Sequence, residues 1–287
     1  MAVGFIRPHT PLVVPQKYFD MYPLESVQLP IINKSDRVDT KLEDDNNSRG
    51  RKIYHTLVNS FGGDRELALR HYTQAYLASI TFADEMVGQV MKALDQSKFR
   101  DDTVVILTSD HGYHIGEKDF LFKYTIWEES TRVPFVIRHP EYQRQAGSIV
   151  EHPISLIDLF PTISDFCDWE NLAPRKKSSG TIDGFSLKPF LEDPELTSWD
   201  GPNSALSIRA SWRSKAIDQQ HFSLRSRDFR YIKYNKPEGE ASEELYDHRN
   251  DPHEWKNLAE SPKSVSYTHL RAHETRHDLV CRLLLEK

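Results

Sequence analysis

Over residues 64–97 apolar or aromatic side chains return at steps of three or four: Leu69, Tyr72, Tyr76, Ile80, Ala83, Val87, Val90 and Leu94. That period belongs to an α-helix with one buried face, and Asp64 is placed to cap its start. Residues 104–107, Val-Val-Ile-Leu, follow almost at once and read as a short buried strand. A long helix feeding a buried strand predicts an α/β fold, a sheet flanked by helices. The strand ends at Thr108-Ser109 and delivers Asp110 and His111 to its carboxyl edge, the edge at which open α/β sheets bind ligands. Gly112 then lets the chain turn sharply with no Cβ in the way. A carboxylate beside an imidazole could hold a hard cation. Equally, Asp110 could cap the next element and His111 lie on the surface.

The rest of the chain reads as shorter pieces. Residues 2–6 are strand-like. Residues 7–15 hold Pro8, Pro11 and Pro15 and must be extended. A short helix is expected at 16–21, and the charged stretch 33–51 reads as a solvated loop. A loop at 116–123 leads through 124–130 into a strand at 133–137, with another strand at 152–156. Residues 158–168 read as a helix with Asp158 as cap and Pro161 in its first turn, followed by a linker at 169–180. Strands at 204–212, 221–226, 229–234 and 244–246 suggest a small antiparallel sheet. Asp251-Pro252 is a turn, and residues 255–258 pack back.

The 287 residues suit one large domain, or one plus a small appendage. A net charge of -6 argues against a nucleic-acid partner, since phosphate contact needs a basic surface. No apolar run approaches the length of a membrane span. The two cysteines, Cys167 and Cys281, indicate no disulfide framework. No basic and then apolar leader follows Met1, so the chain reads either as cytosolic or as a fragment whose true start is missing. Composition leaves oligomeric state open.

Three blocks carry a family resemblance. SDHG at 109–112, then GEK, then FKYTIWEESTRVPFVI at 122–137, resemble the second half of a sulfatase. AVGFIRPHTPLVVPQKYFDMYPLESVQLP at 2–30 is similar to a segment of the iduronate-2-sulfatase-like branch. ELYDHRNDPHEWKNLA at 244–259 resembles the closing strand and turn of the same family. The resemblance implies an alkaline-phosphatase-like sheet flanked by helices, with a small carboxyl-terminal antiparallel sheet. It divides the chain into a partial catalytic domain at 1–200, a small subdomain at 201–264 and a tail at 265–287. The tail resembles translated sequencing-adapter read-through, with an amphipathic helix over 279–285 as the alternative.

The resemblance also implies a metal, calcium before magnesium, and a nucleophile made by oxidising the cysteine of a Cys-x-Pro-x-Arg-type motif to formylglycine. Neither cysteine fits: Cys167 precedes Asp168-Trp169, and Cys281 precedes Arg282-Leu283. The expectation is a fragment whose nucleophile and export signal lie upstream of Met1, inactive alone, from a periplasmic or secreted enzyme acting on a sulfated sugar or glycosaminoglycan.

Sulfate ester hydrolysis needs a nucleophile, cations to balance the sulfate oxygens and an acid for the leaving alkoxide. In the resemblance, Asp110 and His111 fall on metal-ligand positions. Lys123 matches the lysine that contacts sulfate, with Lys118 as its lower-ranked competitor. His9, in a proline-stiffened loop, matches an active-site histidine able to bind sulfate or act as general acid. Arg7 could face an acidic group of the substrate, or salt-bridge on the surface. His114 is expected to pack structurally. Glu128 and Glu129 with Arg132 are expected to form a structural ion-pair cluster, and Tyr18, Phe19 and Tyr22 to belong to the core rather than to a sugar platform. Two other readings remain: a phosphatase, phosphodiesterase or phosphonate hydrolase of the same superfamily, and a non-catalytic binding remnant.

Overall fold

A computed structural model describes residues 1–42, 48–169, 183–210, 219–236 and 240–260. The adapter-like tail, Cys281 and residues 170–180 of the expected linker lie outside the described residues. The contacts gather the chain into two units. One holds Met1–Arg37, Asp44–Val105 and Tyr113–Lys123; the other holds Val38–Glu43, Ile106–Gly112 and Tyr124–Lys287.

The first unit is built on the predicted long helix. Helix α1 (Gln16–Phe19) and α2 (Arg49–Ser60) precede α3 (Arg65–Asp95). Asp64 caps α3 as expected, its Oδ1 accepting from the Leu67 amide at 3.0 Å. Tyr18 of α1 is buried edge-on against Phe82 and donates its hydroxyl to Glu85 at 2.9 Å, and Tyr22 shares a hydrogen bond with Thr81. Tyr18 is core, as expected, while Phe19 and Tyr22 are half-buried. Helix α2 was not foreseen, although Ile53, Tyr54, Leu57 and Val58 repeat at helical steps. They pack with Leu69 and Leu121. Gly50 lets α2 approach closely, because a Cβ there would lie 2.0 Å from the Phe120 ring.

Two expectations fail in this unit. Residues 2–6 form no strand; they are extended and exposed, and among the described residues no ladder pairs with them. The stretch 33–51 is not simply a solvated loop, since Asp36 and Arg51 are buried. The expected loop at 116–123 contains a tight hairpin, β2 (His114–Ile115) against β3 (Leu121–Phe122), around a 3-10 turn at Glu117–Asp119.

In the second unit β1 (Val105–Thr108) pairs with β4 (Phe135–Arg138), and the short helix α4 (Glu128–Thr131) precedes β4. Residues 152–156 form no strand. They lead into a 3-10 turn at Leu156–Asp158 and then α5 (Leu159–Phe166), with α6 (Lys188–Glu192) beyond. Asp158 does not cap α5 with its side chain. Its carboxylate instead accepts from the amides of Ser155 at 2.8 Å and Phe185 at 3.0 Å, tying two loops together.

The carboxyl-terminal sheet is present as expected, antiparallel in the order β5 (Ser204–Arg209), β6 (His221–Ser226), β7 (Phe229–Tyr234), β8 (Ser242–Asp247). Alternation gives it two buried faces. Ile232, Tyr234 and Tyr246 meet Leu42, Ile126 and Trp127 on one. Phe229, Tyr231 and Leu245 meet Leu258 on the other, and the Leu258 amide bonds the Leu245 carbonyl at 2.8 Å. Residues 255–258 do pack back.

Candidate functional site

The second unit carries Asp110 and His111, just past the end of β1. The Gly112 amide donates to the Ser130 carbonyl at 2.9 Å, and a Cβ on Gly112 would stand 2.0 Å from the Glu129 carbonyl oxygen. Glycine is required here by the closeness of another backbone, not by a turn. That contact fixes the chain directly after His111. His111 Nδ1 lies 2.8 Å from the Gly112 carbonyl, so Nδ1 carries the hydrogen and donates it. Nε2 is then the ligating nitrogen, and it stands 3.5 Å from Oδ2 of the exposed Asp110. Two acceptor atoms facing each other at that distance call for a shared proton or a shared cation. The donor set, one carboxylate oxygen and one imidazole, suits a share of a divalent ion's shell; the remaining ligands would be water or other groups.

The first unit carries Lys123, His9 and Arg7. Lys123 is half-buried and ends a braced segment. Backbone strain is concentrated around it: Lys118 and Asp119 both have φ of 52°, Phe122 has 124° and Tyr124 has 76°. Non-glycine residues hold such values only where the surroundings over-determine them. The bracing is visible. Lys118 is fully buried against Asp36, and Arg51 donates to the Lys118 carbonyl at 2.7 Å. Arg65 pairs with Asp119 at 3.1 Å. The Glu117 carboxylate accepts from the Ile115 amide at 2.6 Å, and burial pushes its pKa up. Burial, with Asp119 nearby, pushes the Tyr54 hydroxyl to about 12. Lys118 is therefore structural, and sequence reasoning missed its partner because Asp36 lies far away in the chain. His114 is fully buried, edge-on to Phe120 at 5.2 Å, and is structural as expected.

The 7–15 loop is folded on itself by Arg7. Its Nε donates to the Val13 carbonyl at 3.0 Å and a terminal nitrogen to the His9 carbonyl at 3.2 Å. His9 is exposed, and its Nδ1 lies 2.6 Å from the Thr10 carbonyl, so Nδ1 donates there and Nε2 is the nitrogen left for chemistry. No surface salt bridge of Arg7 is present among the described residues. Arg7 and His9 thus share one loop, Asp110 and His111 one strand end.

Among the described residues one further group has metal-ligand spacing, Glu128, His248 and Glu254. It is already filled by cations. Arg230, fully buried, bonds Glu128 and reaches Glu254 at 2.5 Å. Arg225 reaches Glu128 at 3.3 Å and His248 Nδ1 at 3.0 Å, while His248 Nε2 bonds Glu254 at 2.8 Å. Two guanidinium groups repel a metal ion here, and the hub joins α4 to the sheet. The expected ion-pair cluster at Glu128 exists, but its partners are Arg225 and Arg230; the exposed Arg132 is only a distant partner at 3.8 Å. Cys167, at the end of α5, is exposed and has none of the expected motif around it.

A family model described as Sulfatase matches residues 1–168, and one described as N-sulphoglucosamine sulphohydrolase, C-terminal, matches residues 116–277. A sulfatase of Formosa agariphila is 30% identical over 269 residues, 93% of this chain and 47% of that protein. Iduronate 2-sulfatase of Mus musculus is 28% identical over 204 residues, 67% of this chain and 34% of that protein. The solved phosphonate monoester hydrolase of Agrobacterium radiobacter superposes with a TM-score of 0.71 at 25% identity, over 94% of this chain and 54% of that one. The chain spans about half the length of the Formosa agariphila relative and about a third of the iduronate 2-sulfatase.

Proposed function

The chain belongs to the sulfatase family, with the α/β, alkaline-phosphatase-like fold of that family, and from that premise we propose that it supplies half of a site hydrolysing sulfate esters of a sulfated carbohydrate. The observation that carries the reading is the Asp110–His111 pair, with Nδ1 committed to the Gly112 carbonyl and Nε2 facing the carboxylate at 3.5 Å. A divalent ion bound there, calcium before magnesium, would polarise a sulfate oxygen and the attacking group. The attacking group would be a formylglycine; neither Cys167 nor Cys281 supplies it.

This chain's own residues do the rest. The Lys123 ammonium balances sulfate charge, and the strained backbone on either side holds it in place. His9, through Nε2, binds sulfate or gives a proton to the leaving alkoxide. Arg7 keeps its loop shaped and offers its remaining terminal nitrogen to an anionic substrate group. The sulfated-sugar class is supported by the name of the iduronate 2-sulfatase relative. Export is proposed from the family alone; among the described residues no helix is long and apolar enough to cross a membrane.

The likeness to a phosphonate monoester hydrolase keeps one second reading, hydrolysis of a phosphonate or phosphate ester at the same site. Assays of 4-nitrophenyl sulfate and 4-nitrophenyl phenylphosphonate separate them. The chain is assayed alone and joined to the amino-terminal half of the Formosa agariphila sulfatase. We expect no turnover alone and sulfate ester turnover by the joined protein, abolished by Lys123→Ala. Preference of the joined protein for the phosphonate would overturn the sulfatase reading.

A further inference from the structure

Two cations share one buried aromatic ring in the first unit. The Arg49 guanidinium carbon lies 4.7 Å from the Phe122 ring centre, and Lys123 Nζ lies 5.9 Å from the same centre. The two positive charges are therefore no farther apart than the sum of those distances. Arg49 also opens a groove of about 550 Å³ along α2, lined by Lys52, Ile53, Leu57 and, across from them, Tyr72 of α3. Among the described residues neither Arg49 nor Lys52 has a carboxylate partner.

Tyr72, on the groove's lining, is held from behind by Tyr113. The Tyr72 and Tyr113 hydroxyls lie 2.7 Å apart, and the Tyr113 ring stacks on Tyr72 and Tyr76. The groove thus combines two exposed cations with an apolar lining that includes the Tyr72 ring. An extended apolar partner would find there two charges with no carboxylate partner among the described residues, and a basic one would be repelled. A sugar ring bearing a carboxylate or sulfate matches both features: its anionic group meets the cations and its apolar face meets the Tyr72 ring.

We infer that this groove is a second saccharide subsite, in which Arg49 and Lys52 hold an anionic group on the sugar next to the one whose sulfate meets Lys123. The inference rests on the sulfatase reading for the role of Lys123, and within the glycosaminoglycan class which that reading already implies it names two specificity-determining residues, Arg49 and Lys52, that select for charges on neighbouring sugars. Tyr72 places the sugar ring, and Phe122 fixes the spacing between the two anion contacts.

The test is isothermal titration of the 287-residue chain with inorganic sulfate, a heparin-derived disaccharide bearing carboxylate and sulfate, and the same disaccharide with its sulfates removed. Arg49→Ala and Lys52→Ala should each weaken the sulfated disaccharide about tenfold, the scale of one charge-assisted contact, and leave inorganic sulfate unchanged. Arg49→Lys should recover part of the loss. Lys123→Ala should weaken both anions. If Lys123→Ala weakens the disaccharide while Arg49→Ala and Lys52→Ala do not, the subsite is overturned and the sulfatase reading stands. If the groove variants act but Lys123→Ala changes neither anion, the sulfatase reading falls and the groove remains a separate saccharide site. Wild-type chain that binds none of the probes overturns both.

Discussion

Lys118 Nζ lies 2.6 Å from Asp36 Oδ1, and Asp36 Oδ2 takes the Lys118 backbone amide at 3.2 Å, with neither side chain open to solvent. One carboxylate therefore fixes both the side chain and the left-handed backbone of Lys118, five residues before Lys123. Removing it strands a buried ammonium. Asp36→Ala should cost ~3–5 kcal/mol in urea unfolding, whereas the apolar pair Asp36→Leu with Lys118→Met should cost far less. A loss under about 1 kcal/mol in Asp36→Ala would show that the pair does not hold this segment.

Acid should first strengthen and then weaken the fold. Burial raises the pKa of Glu117 above 4.5 and of Asp158 above 3.8. Each takes up a proton more readily folded than unfolded, so stability grows as pH falls through its folded value. Glu128 is the opposite case. Burial opposes its charge, but Arg230 and Arg225 prevail and hold it below 4.5. Arg249 likewise holds Asp247 at about 2, from an ordinary 3.8. Stability from these two is complete above their unfolded values and is lost as pH falls through the folded ones. Urea unfolding should show a maximum at weakly acid pH and a decline below about pH 4. Glu117→Gln should reduce the rise, and Asp247→Asn should flatten the decline.

The pattern of what the sequence reveals follows from the range of each interaction. Helix α3 and strands β6 and β7 are legible because their apolar periods are local, and Asp64 announces the helix start three residues before its bond. The 2–6 segment has strand composition but no ladder partner among the described residues, and composition cannot supply one. Helix α2 was hidden by its charged start, Arg49 to Lys52, although its Ile53-Tyr54-Leu57-Val58 spacing was readable. The Asp36–Lys118 pair and the Arg230 hub join residues distant in the chain, so no local pattern encodes them. Asp110 and His111 were legible from the strand end that delivers them, Lys123 and His9 only through the motif resemblance, and Arg7 only as a charge beside His9. The structure adds what the motif cannot, such as the hydrogen on His111 Nδ1 and the strain about Lys123.

Two glycines should behave oppositely to a third. A methyl at Gly112 meets the carbonyl oxygens of Glu129 at 2.0 Å and Arg132 at 2.9 Å, which are backbone atoms that cannot rotate away. Gly112→Ala should cost ~1–3 kcal/mol or more and displace His111. Gly50→Ala meets the Phe120 ring at 2.0 Å and should lose a comparable amount. Gly88, exposed on α3, has nothing within 4 Å of its added Cβ. Gly88→Ala should therefore stabilise by ~0.5–1 kcal/mol through helix propensity. Equal effects at all three sites in thermal unfolding would contradict the packing described.

Calcium should distinguish the two acidic groups of the second unit. At Asp110–His111, two donors from this chain leave most of a calcium shell to water, so binding should be weak, with a Kd of about 1 mM, as in shallow extracellular sites. Ligand present at ~100 times its Kd adds about 2.7 kcal/mol, a rise of a few degrees in Tm. Asp110→Asn and His111→Ala should each abolish that rise, and Asp110→Asn should do so without lowering the metal-free Tm, because Asp110 is exposed. Glu254→Gln should do the reverse. It breaks the hub around buried Arg230 and lowers the metal-free Tm, yet leaves the calcium-dependent rise intact. Were Glu254→Gln to remove the calcium effect and Asp110→Asn to leave it, the ion would belong to Glu128, His248 and Glu254 after all, and the arginines would have to move aside to admit it.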